Sequence, residues 1–202
     1  MQSSETPDSI RLFWFGDLPD DGEVAAAQSK LWWGKNPAQD QAVRQRFEPS
    51  LQAAASGELD VWLHEPLGRL ALILLADQFT RMAWRDTPKA FGLDTLASRW
   101  SQQGVDLGQH VQLRPIEQVF FYMPLMHSET LAEQAHCVSL FDALVKVAPA
   151  AHRTLFEGNL DFARRHQAII DRFGRFPHRN LTLGRTSTAE ELAFLQQAGS
   201  SF

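Results

Sequence analysis

The sequence predicts an all-α protein of roughly eight or nine helices that pack as antiparallel pairs. Three observations lead to this prediction. Apolar residues recur at helical spacing along the 202-residue chain, and no five-residue window alternates strictly enough to indicate a strand. Tyrosine occurs once, whereas alanine, leucine and glutamine, which favour helices, are abundant. The connections are short, which places consecutive helices side by side.

Four helices are predicted in the first part of the chain. The first ends at Gly16 and the second runs from Val24 to Trp33. The third contains Pro49, which should bend or divide it because proline cannot donate a backbone hydrogen bond. The fourth begins at Pro66, which suits a first helical position, and its broad apolar face extends to Phe79.

Three further helices are predicted in the middle of the chain. Thr87 and Pro88 have the residue types of an N-cap and a first helical residue, and that helix should end at Gly104. Pro115 opens the next helix. Ser128 is predicted to cap a longer helix that ends near Pro149.

Two helices near the carboxyl terminus enclose an arginine-rich loop. Apolar residues at helical spacing predict a helix that ends at Gly174, because glycine is favoured in a left-handed C-terminal cap. Thr188 and Glu191 have capping-box spacing, so the last helix should cover about Ala189 to Ala198. Six arginines and one acid fall between positions 164 and 185, which makes that segment +5 in a chain of net charge -5. This reversal of sign indicates an anion, either a bound ligand or the protein's own carboxylates.

Composition bounds the class of protein. The length suits one core and no linker interrupts it, so we expect a single all-helical domain over residues 1–202. One cysteine, Cys137, and a start without a basic and apolar leader favour a cytoplasmic location. The longest apolar run, 70–76, is too short to span a membrane, which takes roughly 20 residues. The acidic balance argues against nucleic-acid binding, and no feature predicts an oligomeric state.

Guanidinium groups are the candidate ligand-binding residues. Their planar forks suit the two oxygens of a carboxylate or phosphate, and a neighbouring amide can add a further hydrogen bond. The predicted set is Arg81, Arg175, Arg179, Asn180 and Arg185. The alternative is that these arginines tie the last helices to the protein's own acids, and the sequence leaves the two possibilities open.

Asp77, His127 and His178 are the candidate catalytic residues. Asp77 lies four residues before Arg81 on an apolar helical stripe, so it is either half of a buried ion pair or a general base. His127 stands just outside a helix start, and His178 lies among arginines that should lower its pKa and keep it neutral. Each histidine could instead be a hydrogen-bonded structural residue, as we expect for His166 on its apolar face.

The sequence predicts neither a metal nor a cofactor. The three histidines do not have the spacing of known zinc motifs, and the adjacent arginines would repel a cation. No glycine-rich phosphate loop, dinucleotide turn or nucleophile elbow occurs. Cys137 is expected to be a buried, unreactive thiol.

Four segments, in order along nearly the whole chain, carry a family resemblance. They are FWFG (13–16), DQFTR (77–81), YMPLMHSE (122–129) and HQAIIDRFGRFPHRN…LGRTST (166–188). They resemble the bacterial family called domain of unknown function 924. The resemblance implies a tetratricopeptide-like α-α superhelix and supplies no activity. The chain departs from the family pattern at Thr80 and Met82, where proline and asparagine are usual, beside the candidate residues Asp77 and Arg81.

Three functional hypotheses follow. The leading one is a helical protein that binds a small anionic molecule or an acidic peptide end in a polar cleft of arginine, histidine and aspartate. The second is a hydrolase or lyase that uses Asp77 and His178 in acid-base roles. The third is a tetratricopeptide-like module that binds an extended peptide on a concave surface. The competing structural interpretation is an internal clamp of ion pairs.

Overall fold

The computed structural model describes residues 5–200 and shows an all-α fold, with no β-strand among those residues. This described part of the chain forms nine helices, which are linked by short turns and 3-10 segments. The helices are α1 (Pro7–Phe15), α2 (Asp21–Trp33), α3 (Pro37–Ser56), α4 (66–83), α5 (Asp94–Asp106), α6 (Pro115–Met126), α7 (Leu131–Val147), α8 (Arg153–Phe173) and α9 (Ala189–Leu195). The prediction of an all-α protein is therefore confirmed. A tetratricopeptide-like superhelix stays a prediction.

Several helix ends fall where the capping residues predict them. α1 stops at Gly16 and α2 stops at Gly34, whose backbone N–H groups donate to the preceding helical turn. α6 begins at Pro115. Gly174 ends α8 in the left-handed conformation, with φ of 67°. These ends are local properties of the chain, so they can be read from sequence.

Pro49 does not divide α3, contrary to one of the two predicted outcomes. The helix continues without interruption from Pro37 to Ser56. Phe47 and Leu51, on either side of the proline, are both fully buried. Packing of this face against the core therefore outweighs the hydrogen bond that proline removes.

Two predicted helix starts are wrong. Pro88–Phe91 form only a 3-10 turn, and α5 begins later, at Asp94. The Thr87 hydroxyl donates to the Trp84 carbonyl and caps no helix. Likewise α7 starts at Leu131, and the Ser128 hydroxyl accepts from the backbone N–H of Thr130. In both places the cap residue stabilises a turn, which serine and threonine do as readily as capping a helix.

One apolar core extends through the helices from Ile10 to Ala163, and a smaller cluster forms around Phe176. Aromatic side chains dominate the centre: Trp14 lies 5.3 Å from Phe79 and 5.5 Å from Phe120, between ring centroids. α7 packs along both α6 and α8. Because only short turns join these helices, consecutive members run antiparallel, as predicted.

α4 is the central helix, and it is buried on every side. It consists of Pro66–Ile73, a π-helical segment Leu74–Phe79 and a last turn Thr80–Ala83. All six residues of the π segment are buried, including Asp77 and Gln78. A π turn widens the helix locally and often marks a functional position. Here it places a carboxylate in the interior.

Within residues 5–200, no helix is both long enough and apolar enough to cross a membrane.

Candidate functional site

Asp77 is the most deeply buried ionisable group of the candidate site. Its carboxylate oxygen Oδ1 lies 2.7 Å from His127 Nδ1 and 3.2 Å from Arg81 Nη1. Oδ2 accepts a hydrogen bond of 2.6 Å from Gln78. Burial by itself would raise the pKa of Asp77, but Arg81 and His127 hold that pKa well below its usual range. Asp77 is therefore an ionised carboxylate in the core.

His127 follows the last turn of α6 and is oriented by Asp77. Because Asp77 is ionised and can only accept, Nδ1 of His127 must carry the proton of their hydrogen bond. Burial lowers the pKa of His127 more than the Asp77 charge raises it, so the imidazole is neutral. Among residues 5–200, Asp77 is its one side-chain hydrogen-bonding partner. The other nitrogen, Nε2, thus presents a lone pair, and the side chain keeps 12% of its surface exposed.

Asp94 joins two arginines from different parts of the chain. Arg81 donates to it through both terminal nitrogens, at 3.0 and 3.1 Å, and Arg179 Nη1 lies 3.4 Å from its Oδ2. Burial raises the pKa of Asp94, and the nearby Asp77 charge adds to that effect. We call Asp77, Arg81, Asp94, His127 and Arg179 the central cluster.

Arg179 is a buried cation with few hydrogen bonds. Only 7% of the residue is exposed. Its guanidinium lies between two aromatic rings, 4.9 Å from the Phe91 centroid and 4.5 Å from that of Phe176. The Nε atom is shielded from solvent and has no hydrogen-bonding partner among residues 5–200. Burial lowers the pKa of Arg179 to about 10, which still leaves the group charged near neutral pH.

His166 and His178 flank the central cluster on the side of Phe176. The His166 ring is buried, its Nδ1 lies 2.8 Å from the Phe162 carbonyl, and burial lowers its pKa to about 3. This agrees with the structural role expected for His166, although Phe162, predicted on the same apolar face, is exposed. Burial, followed by the Arg179 charge, lowers the pKa of His178 to about 4. His178 is neutral, as predicted.

The remaining predicted ligand-binding residues contact the protein's own acids. Arg175 donates to both oxygens of Glu191, at 2.6 and 2.8 Å. Arg185 donates to both oxygens of Glu129, at 2.6 and 3.0 Å, and to Asn180 Oδ1 at 2.9 Å. These contacts hold residues 175–195, which we call the C-terminal strap, against the start of α7. For Arg175 and Arg185 the geometry is that of the internal clamp.

The structure thus separates the predicted site residues into two groups. Asp77, Arg81, His127 and Arg179 meet in the central cluster, whereas Arg175, Asn180 and Arg185 organise the C-terminal strap. His178 lies between them, packed against Phe176 at 5.6 Å.

Two members of the site were missed by sequence reasoning. Asp94 is the first residue of α5, where an acid is common for reasons of the helix dipole alone, so its type carried no signal. Phe91 falls within the helix predicted from Pro88 to Gly104, which gave no reason to place it against Arg179. That predicted helix also enclosed Asp94, so the start of α5 at Asp94 was not recognised.

Within the described part of the chain, no three histidine, cysteine or acidic side chains converge as a metal site would require. The arrangement instead places the neutral imidazole of His127, held by Asp77, near the buried guanidinium of Arg179. A guanidinium is chemically able to hold an oxyanion, and a neutral imidazole is able to accept a proton.

Comparisons with known proteins agree with this fold. A family model described as bacterial protein of unknown function, DUF924, matches residues 10–199. A solved structure of a protein of unknown function from Agrobacterium tumefaciens is similar, with 34% sequence identity and a TM-score of 0.74. The match covers 88% of this chain and 99% of that one. No curated protein matches the chain.

Proposed function

The chain belongs to the bacterial family of unknown function DUF924, and we propose that its central cluster binds a small anionic molecule through Arg179. The observation that carries this proposal is the guanidinium of Arg179, which is buried between two phenylalanine rings and whose Nε has no hydrogen-bonding partner within the described residues. Buried polar groups are nearly always hydrogen-bonded, so an exception indicates a missing partner. A carboxylate or phosphate oxygen would be that partner.

The surroundings of Arg179 also support a ligand. The rings of Phe91 and Phe176 both lie against the guanidinium and strengthen its electrostatic interactions by excluding water from it. The neighbouring strap arginines, Arg175 and Arg185, are already paired and therefore position the loop without competing for the ligand. The proposed ligand class includes the acidic end of a peptide, which has the same carboxylate chemistry. A cytoplasmic location stays a prediction.

A thermal-shift titration tests this function. Sulfate and acetate represent phosphate-like and carboxylate-like ligands, and a ligand at about 100 times its Kd stabilises a protein by about 2.7 kcal/mol. We expect at least one anion to raise the melting temperature, and Arg179→Gln to abolish the rise. The matched control is Arg172→Gln, which removes the same charge from an exposed pair with Glu190 and should leave the response intact.

Two results would contradict the proposal. One is the absence of any shift with sulfate, acetate or a wider panel of small anionic metabolites. The other is a shift that persists in the Arg179→Gln protein at the size seen in the Arg172→Gln protein.

A second candidate is a hydrolase or lyase, which the 2.7 Å hydrogen bond between Asp77 and His127 favours. A carboxylate that fixes the tautomer of a neutral histidine is the arrangement of many general bases. The sequence predicts acid-base roles for Asp77 and His178, with His127 as a third catalytic candidate; the hydrogen bond to Asp77 favours His127 as the base. Screening with anionic esters and hydroxy acids tests this candidate: activity should disappear in His127→Gln, and activity that survives that change would argue against it.

A further inference from the structure

We propose that the anion enters the central cluster together with one proton, which His127 takes on Nε2, so that the bound ligand lies between imidazolium and guanidinium. This inference rests on the proposed function and names the second residue that holds the ligand. The ligand class is an oxyanion, a carboxylate or a phosphate, that accepts hydrogen bonds from both groups.

The first step of the argument concerns charge. Without a ligand the central cluster is neutral, because Asp77 and Asp94 balance Arg81 and Arg179 while His127 is uncharged. The adjacent pair of Glu129 and Arg185 also cancels. A carboxylate entering alone would leave one uncompensated negative charge in a buried place, which is costly, and doubly charged sulfate would leave two. A proton that arrives with the anion restores neutrality for the carboxylate and removes half of the excess charge for sulfate.

The second step identifies the group that takes the proton. His127 has a lone pair on Nε2 because its Nδ1–H is directed at Asp77. Protonation would give an imidazolium that keeps its hydrogen bond to the ionised Asp77, so the new charge has a partner 2.7 Å away. His166 is a poorer acceptor, since its ring packs edge-on against Phe176 at 5.5 Å and Nδ1 already faces a carbonyl.

The third step concerns the charges around His127. Asp77 favours its charged form, whereas Arg81 and Arg179 oppose it. The His166 ring lies 6.2 Å from the His127 ring, between centroids, and His178 and Asp94 are near enough to interact electrostatically with His127. The oxyanion would offset the opposing cations, so its binding favours protonation of Nε2. Asp94 is the competing proton acceptor, and the experiment includes it.

The sign of the pH dependence follows. Burial places the pKa of His127 below its usual value in the free protein, and the anion raises it in the complex. Between these two values, binding takes up a proton and affinity falls as pH rises, by up to about tenfold per pH unit. Outside this window binding exchanges no proton at His127, so the affinity should not change with pH through this residue.

Isothermal titration calorimetry of the whole protein measures this proton directly. Sulfate and acetate are the probes because neither changes its charge between about pH 6 and about pH 8. Titrations in two buffers of different ionisation enthalpy give the number of protons taken up. We expect about one, with whichever probe binds. Binding of sulfate alone would indicate a phosphate-like ligand, and binding of acetate alone a carboxylate.

The variants assign the proton. His127→Gln should bind the probe at least tenfold more weakly and take up no proton, whereas His64→Gln, a change at an exposed histidine, should behave like the unmodified protein. If the His127→Gln protein still takes up a proton on binding and the Asp94→Asn protein does not, the assignment of the proton to His127 is overturned. If His127→Gln does not fold, nitrogen NMR of the unmodified protein decides: Nε2 should change from a bare to a protonated nitrogen when the probe is added, and an unchanged signal overturns the inference.

The outcomes separate the two proposals. Binding that takes up no proton overturns this inference and leaves the anion site standing. Failure of every anion to bind overturns both.

Discussion

Asp77 shows how one buried carboxylate determines the state of its neighbours. It fixes the tautomer of His127, pairs with Arg81 and accepts from Gln78. Breaking a buried pair by removing one charge leaves the other charge without compensation, and this costs more than forming the pair gains. The contact that stabilises Asp77 also places the proton of His127 on Nδ1 and therefore leaves the lone pair on Nε2.

Asp77→Asn tests this at the level of stability. The asparagine keeps the volume of the side chain but removes the charge that balances Arg81, so we expect a loss of about 3–5 kcal/mol in the free energy of unfolding. Urea denaturation measures it. Asp142→Asn is the control, because Asp142 forms an exposed pair with Lys146. This substitution should cause no measurable change in the free energy of unfolding. Equal effects of the two changes would contradict the interpretation of Asp77.

Glu191 should make the stability of the C-terminal strap depend on pH in the acid range. The hydrogen bonds from Arg175 are the largest cause that lowers its pKa, from 4.5 to about 2. A lowered pKa in the folded state means that the stabilisation is complete above about 4.5 and is lost as pH falls towards about 2.

Urea midpoints measured across that range should therefore fall more steeply for the unmodified protein than for Glu191→Gln. The glutamine cannot titrate, so its curve lacks this contribution. Parallel curves for the two proteins would show that the pair of Arg175 and Glu191 does not affect acid stability.

Helix α5 packs closely against its neighbours because one of its interior residues, Gly104, has no side chain. Gly104 lies where α5 crosses α4 and α6, and a methyl group there would collide with the side chain of Arg69 and the ring of Phe121. The close approach brings Asp94, at the other end of the same helix, within reach of Arg81. The glycine that the sequence suggested as a helix end is an interior packing position instead.

Gly104→Ala should destabilise the protein by about 1–3 kcal/mol, because an extra methyl in a packed core forces neighbours to shift. Gly158→Ala is a matched control, since that glycine is also inside a helix but its methyl would meet nothing within 4 Å. The control should stabilise by about 0.5–1 kcal/mol through helix propensity. Thermal or urea unfolding measures both, and effects of the same sign would contradict the packing argument.

At the scale of the whole molecule, the predictable and unpredictable parts have different physical origins. The all-α class could be predicted because helical periodicity and caps such as Gly174 are local. Three residues chosen from the sequence, Asp77, His127 and Arg179, do meet in the central cluster, whereas Asp94 was not among the candidates. The sequence could not decide which arginine meets which acid, because those pairs join helices distant along the chain, as Arg185 and Glu129 do. The π segment of α4 has no local sequence signature that we recognised.

Cys137 provides a measure of global opening. Its thiol is completely buried, its Sγ lies 3.7 Å from the Tyr122 carbonyl, and burial raises its pKa. Both effects suppress the reactive thiolate. We expect no reaction with a thiol reagent such as dithionitrobenzoate in the folded protein and one rapid equivalent in denaturant. Rapid labelling under native conditions would show that α7 opens locally, without global unfolding.

The C-terminal strap also has a consequence for biosynthesis. Residues 175–195 leave the ribosome after the segments that form the main core, which ends at Ala163. Domains can begin to fold while synthesis continues. A nascent chain halted before Arg179 would therefore lack that arginine. In such a chain Arg81 would pair with both Asp77 and Asp94. The proposed anion site would be completed last, so premature termination should yield a helical protein that does not bind the anion.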